Sequence, residues 1–159
     1  MKTSISLLLL TGIFFSCQQK QHFTSGAEID LIKKLEESYF KKDFATYRSF
    51  FHDTASIYIN NWYHEKMSPD QFVENIRKGA EGIKESNLAK DGFYEMIVTT
   101  DGQHWIHVWT EWTQLLKNGS EVRIPLNNVF RVENDKIVFY GAVLDALPGL
   151  LGELAAHPA

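Results

Sequence analysis

The sequence predicts an α+β domain in which a cone-shaped, curved antiparallel sheet wraps about three N-terminal helices. Three observations predict it. Before Gly82, apolar residues recur at helical spacing in three stretches, each opened by a residue pattern that caps helices. From residue 93 to residue 144 the pattern changes to β-branched and aromatic runs, separated by Asp-Gly, Asn-Gly and Asn-Asp pairs that read as hairpin turns. Helices with one apolar face need a cover, and a sheet with one apolar face is the partner at hand. The length suits this: 159 residues, 44% of them hydrophobic and 13% aromatic, furnish one core and are too few for two.

Each element has its own reason. Ser25-Gly26-Ala27-Glu28 has the spacing of a capping box, and Ile29, Ile32, Leu35 and Tyr39 follow on one face, so a first helix is expected to about Lys42. Asp43 caps a second, shorter helix carrying Phe44, Tyr47, Phe50 and Phe51. Residues 55–60 read as a short strand that Asn60-Asn61 stops. Ser68-Pro69-Asp70-Gln71 is a second capping box with proline at the first helical position. Its helix runs through Phe72, Val73 and Ile76 until Gly79 and Gly82 end it. Strands over residues 93–100, 105–116, 122–132 and 137–144 then form an antiparallel meander. A twisted sheet curled over helices leaves a conical interior, either filled with side chains or open as a pocket.

Charge and composition exclude several functions. The net charge is −4 at pH 7, a poor match for a phosphate backbone, so no nucleic acid is expected as a partner. His104 and His107, three apart, fall on opposite faces of a strand and form no chelating pair, so no metal is expected. Without a glycine-rich phosphate loop or a Gly-x-Ser-x-Gly elbow, no cofactor is expected either.

Lys2 precedes an apolar run over residues 5–15, broken only by Ser6, Thr11 and Gly12, and the polar stretch Gln18-Gln19-Lys20-Gln21 follows. At about half of the roughly 20 residues that span a bilayer, the run reads as a secretory signal and not as a transmembrane helix. Cys17, the only cysteine, stands directly after the run with Ser16 before it. It resembles the lipobox cysteine of bacterial lipoproteins, whose thiol is diacylated. Phe14-Phe15 departs from that motif and leaves open an ordinary signal cleaved nearby, with a free thiol. The expectation is an exported lipoprotein of a bacterial envelope, anchored in the membrane by two acyl chains on Cys17. Residues 1–16 are then signal, 17–25 the lipidated cysteine and a tether too polar to pack, 26–147 the domain, and 148–159 a tail. A lone cysteine allows no disulfide within the domain and no cysteine nucleophile.

The order of elements carries a family resemblance. Its most specific pieces are residues 39–56, ending Phe50-Phe51-His52-Asp53-Thr54-Ala55, and Val129-Phe130-Arg131-Val132 leading through Asp135-Lys136-Ile137-Val138 to Asp145. Over residues 28 to about 145 the chain resembles the nuclear transport factor 2-like superfamily, in its SnoaL-like and ketosteroid-isomerase-like branch. The resemblance implies a cone-shaped barrel, frequent homodimers through the outer sheet face, and an apolar pocket. It implies no single activity.

Candidate site residues follow from strand alternation and this resemblance. Trp105, His107, Trp109, Glu111 and Thr113 share one face, while Ile106, Val108, Thr110 and Trp112 share the other. Alignment with the family's steroid isomerase from Gly119 onward implies that the odd-numbered set lies inside, with Asn128, Phe130, Tyr140, Ala142 and Leu144. Tyr39, Trp109, Asn128, Phe130 and Tyr140 are therefore expected to hold a small apolar ligand. Glu111 is the candidate general base, its pKa raised by burial, with His107 as its partner. The plain alternative pairs Glu111 with Arg123 or Lys117 on a solvated face. Asp145 is a third catalytic candidate, or else a cap for the tail.

The isomerase chemistry itself is not supported, because its base falls near Ile59, its helix-one tyrosine on Leu35 and its protonated aspartate on Asn128. Tyr58-Ile59-Asn60 fits one element of the family's epoxide hydrolases, but Trp109-Thr110-Glu111 lacks the arginine that polarises the epoxide. These two registers differ by one residue, and the sequence leaves both open. Trp62, Tyr63 and His64 fall at the expected pocket mouth, as lid or plug. Three functions follow, in this order. The first is a lipid-tethered module that holds a small apolar molecule; the second is an enzyme of isomerase, cyclase, dehydratase or epoxide-hydrolase type. The third is an accessory domain whose outer face, with Ile106, Val108 and Trp112, binds a partner or a second copy.

Overall fold

The sheet grows from one long hairpin. In the computed structural model, which describes residues 21–60 and 65–144, strands β5 (His104–Leu116) and β6 (Glu121–Glu133) pair along nearly their whole length. The other edge of β5 is shared. Strand β4 (Phe93–Val98) takes its first half and β3 (Ile83–Leu88) its second. Beyond β6 lie β7 (Lys136–Leu144) and then β2 (Phe51–Ile59), which runs parallel to β7. A short β1 (His22–Phe23) closes the far flank against β4, giving the order β1-β4-β5-β6-β7-β2. Helices α1 (Ala27–Phe40), α2 (Phe44–Ser49) and α3 (Pro69–Gly79) cover the inner face of this curved, unclosed sheet. Ile29, Ile32 and Leu35 of α1, Tyr47 and Phe72 meet Ile57, Ile106, Val108 and Phe130 there. The architecture is the expected α+β one.

Local chemistry explains the joints. The Asp43 carboxylate accepts a hydrogen bond from the Thr46 backbone N–H (3.0 Å) and starts α2, after Lys42 has turned the chain at φ +56°. Ser68 and Gln71 complete the anticipated capping box with Pro69 at the first turn. Asn134 and Asp135 both sit at positive φ (49° and 59°), which a two-residue turn from Glu133 to Lys136 requires.

Three local expectations are corrected, and a strand, β3, lies where none was expected. Ser25 does not cap α1; Gly26 holds the N-cap position and no side chain bonds there. Residues 22–24 are not a free tether, because β1 pairs with β4, Phe23 packs on the core, and Val98 N–H donates to Gln21 O at 2.8 Å. The open edge of β4 offers backbone groups that extended chain of any side-chain polarity can satisfy. Strand β3 carries no clear alternation in sequence, since a register shift after Ile83 leaves only Ile83 and Ser86 buried. Strand β2 starts at Phe51, four residues earlier than expected, and its pairing with β7 is parallel.

Candidate functional site

Strand β5 turns its even-numbered residues inward, the reverse of the expectation. Ile106 and Val108 are fully buried, whereas Trp109 is 39% exposed. The cause is the turn that follows. A two-residue Asn118-Gly119 turn would set odd residues of β5 beside even residues of β6. Instead Gly119, at φ +88°, closes a three-residue loop in which Leu116 N–H donates to Ser120 O (2.8 Å) and Gly119 N–H to Leu116 O (3.0 Å). Val108 therefore faces Asn128, and Ile106 faces Phe130. A one-residue slip exchanges every side chain between faces. Asn128, Phe130, Tyr140 and Ala142 are buried on the inner side.

A cavity of about 170 Å³ opens between the helices and this inner face. Tyr39 stacks on Trp112 (4.7 Å between centroids, 28° between planes) to form one wall. Tyr47, Phe72 and Ile76 close it from the helices, and Ile59, Ile124, Leu126 and Tyr140 from the strands. Phe130 lies parallel to the Tyr140 ring at 4.6 Å and fixes its tilt. The polar atoms are few. Gln114 Nε2 donates to Tyr39 Oη (3.3 Å), Tyr140 Oη–H donates to Asn128 Oδ1 (3.2 Å), and Trp112 Nε1 is buried with no partner in the protein. Burial raises the pKa of Tyr39, Tyr47 and Tyr140, so all three stay neutral hydroxyls.

Glu36 is the functional candidate that the sequence reading missed. It is 4% exposed and is the one buried carboxyl among the described residues. Tyr94 Oη–H donates to its Oε2, while Oε1 has no partner. Burial raises its pKa to about 7, against the opposing pull of the Tyr94 hydrogen bond and the Lys33 charge. The same burial and the neighbouring carboxylate drive Tyr94 well above its ordinary value. Glu36 lines a cleft of about 440 Å³ between α1 and the β3–β4 connection. A signal was present, because Glu36 lies four residues after Ile32 and seven after Ile29, within the apolar stripe.

The other expected residues scatter. Glu111, His107 and Trp109 lie on the outer face, with Glu111 Oε1 3.6 Å from Arg123 Nη1, the plain alternative for that residue. Ile59 points into the cavity while Tyr58 packs on Phe139 (5.8 Å), and Asn60 turns the chain at φ +53°. Tyr58 thus faces away from the cavity, and the inward position, Ile59, is apolar. Asp145, Cys17, Trp62, Tyr63 and His64 lie outside the described residues. Among the described residues no group of three or more His, Cys, Asp or Glu side chains could hold a metal, and no helix is long and apolar enough to cross a membrane.

No protein-family model matches the sequence, and no curated protein matches it. Solved structures do match in shape. A protein from Shewanella denitrificans assigned as a SnoaL-like polyketide cyclase superposes with a TM-score of 0.62 at 10% identity, over 82% of this chain and 99% of its own. AclR from Streptomyces galilaeus, assigned as a hydroxylase, gives 0.61 at 16% identity over 85% and 89%. An LEH-like epoxide hydrolase from M. tuberculosis gives 0.54 at 13% identity over 80% and 90%. The chain has the nuclear transport factor 2-like fold of these SnoaL-like and epoxide-hydrolase neighbours. Fold does not select among their activities.

Proposed function

We propose that this chain is a binding domain whose cavity holds a small, ring-bearing apolar molecule, gripped by aromatic walls and one hydrogen bond from Trp112 Nε1. The cavity itself carries the reading: about 170 Å³, walled by Tyr39, Tyr47, Phe72, Trp112 and Tyr140. An apolar cavity of roughly 150 Å³ takes up benzene, so this volume suits one ring or a compact fused pair and is too small for four fused rings. A buried donor left unpaired costs roughly 1–3 kcal/mol. A carbonyl or hydroxyl oxygen on the ligand would relieve that cost. Catalysis is less well supported, since Glu111 and His107 face outward and Glu36 lines the cleft and not the cavity.

Calorimetric titration with 1-indanone tests the reading. The native chain is expected to bind it, Trp112→Phe to bind it about fivefold or more weakly, and Leu126→Trp, which fills the cavity, not to bind it. Glu111→Gln is expected to change nothing. Absence of binding to the native chain, or undiminished binding to Leu126→Trp, overturns the proposal.

Two further parts belong to the same reading. The outer face pairs two copies of the chain: Phe93 is 54% exposed against Trp109, and Val143, two strands away across Asn127, is 53% exposed. Ile106 and Val108, expected on that face, are instead core residues. The second part is the lipid on Cys17, which holds the domain at an envelope membrane. Mass spectrometry of the membrane fraction decides it, because a free Cys17 thiol or a different N-terminus removes the anchor.

A further inference from the structure

The cleft beside α1 has features that the cavity reading leaves unused. Its floor is Glu36, 4% exposed, with Oε2 bonded by Tyr94 and Oε1 unbonded. Its walls are Phe40, Leu88 and the Tyr94 ring, and its rim carries Lys33, Glu37 and Asp91. Glu37 is already paired with Lys41 at 2.5 Å. Lys33 Nζ stands 5.1 Å from the centroid of the Tyr94 ring and acts on Glu36 through its charge, not through a hydrogen bond. The protein thus already seats one ammonium on this aromatic face. The cleft is separate from the cavity. Trp112 stands between them, stacked on Tyr39 on the cavity side and met edge-on by Phe40 (5.1 Å) on the cleft side.

We propose that this cleft is a second binding site, which takes a primary organic ammonium with a small apolar or aromatic body. The ammonium would pair with the Glu36 carboxyl, whose Oε1 is covered in the free chain and would be uncovered by a turn of the side chain, and the body would lie between Phe40, Leu88 and Tyr94. A buried carboxylate with a free oxygen is the acceptor that an ammonium needs when it leaves water, and it makes a charge-assisted bond. A neutral alcohol of the same shape gains only an ordinary hydrogen bond. The volume of about 440 Å³ admits a phenylalkylamine with room to spare. Anions are disfavoured, because Glu36 and Asp91 line the site against Lys33, the Glu37 charge being already paired with Lys41.

Binding is coupled to a proton. Near neutrality Glu36 is partly protonated, and it must release that proton to solvent before Oε1 and Oε2 can carry the charge that pairs with the ammonium. The groups that set this equilibrium are Tyr94 on β4 and Lys33 on the same helix, and Asp91 acts in turn on Tyr94. Tyr47 and Tyr140 also feel the Glu36 charge from the cavity side. The fraction of chains ready to bind then rises about tenfold from pH 6 to pH 8, and apparent affinity rises with it.

Titration calorimetry of the full chain with phenethylammonium chloride tests this. The expected results are binding that strengthens about tenfold between pH 6 and pH 8 and proton release at pH 7, read as a heat that differs between phosphate and Tris buffers. Phenethyl alcohol should bind at least tenfold more weakly. Glu36→Gln should lose both the affinity and the pH dependence, while Leu126→Trp, altered only in the cavity, should bind as the native chain does. The proton release is read on the native chain, so the test does not depend on how well a variant folds. The proposal is overturned by equal binding of the alcohol, by binding without proton release, by undiminished binding to Glu36→Gln, or by no binding at all. Loss of amine binding in Leu126→Trp would move the amine to the cavity and overturn it too.

Discussion

Glu36 holds its proton more tightly in the folded chain than in the unfolded one, because its carboxyl is buried with one oxygen unbonded. The sign of the consequence follows from linkage. A carboxyl whose pKa rises from 4.5 to about 7 on folding favours the folded state below pH 4.5, and that contribution is lost as the pH climbs through 7. The loss amounts to about 3 kcal/mol at roughly 1.4 kcal/mol per pH unit. Thermal melts of the native chain are therefore expected to fall between pH 5 and pH 8, and those of Glu36→Gln to stay level and end higher at pH 8. Parallel curves for the two proteins would contradict the assignment. Tyr140 shows what was legible at this scale: its inward position was readable from sequence, and its hydrogen bond to Asn128 was not, since that needs the register of β6 against β7.

Local rules placed several joints correctly, though not the Ser25 cap. The Ser68 cap, the Asp43 cap and the Asn134-Asp135 turn all depend on residues within four positions of one another, and all stand in the structure. Ser68→Ala should cost about 1 kcal/mol in a denaturant melt, because it strips the Gln71 N–H of its acceptor. Strand β3 was not anticipated and the face of β5 was misread, for a common reason. Each is set by a one-residue irregularity, a register shift after Ile83 and a third residue in the Lys117–Gly119 turn, which composition does not display. The wrong face for β5 carried Glu111 and His107 into the candidate site, whereas Glu36 was overlooked within the apolar stripe of α1.

The whole molecule has two apolar surfaces of different character, one closed inside the cone and one spread over the outer sheet. The outer one carries two aromatic pairs. Phe93 meets Trp109 at 5.5 Å, and Trp105 meets Phe139 at 5.4 Å, with Glu95, His107, Asn127 and Arg131 on the strands between them. Sedimentation equilibrium is expected to show a dimer for the native chain and a monomer for the double variant Phe93→Ser, Trp109→Ser, with cavity binding of 1-indanone retained. A native chain that sediments as a monomer at micromolar concentration would remove the second copy from the proposal. The fold class was legible because three helical stripes and a string of hairpin turns admit few arrangements. Its flanks were not, since the β1 and β2 pairings are made across long stretches of chain.

The β1–β4 pairing also governs posture. Gln21 is clamped to Val98, and only four residues of chain lead back from it to Cys17, a leash of at most ~14 Å. Acyl chains on Cys17, as proposed, would thus keep the β1–β4 flank within that reach of the lipid. A longer glycine-serine leash would widen the domain's range of motion, visible as a faster decay of fluorescence anisotropy.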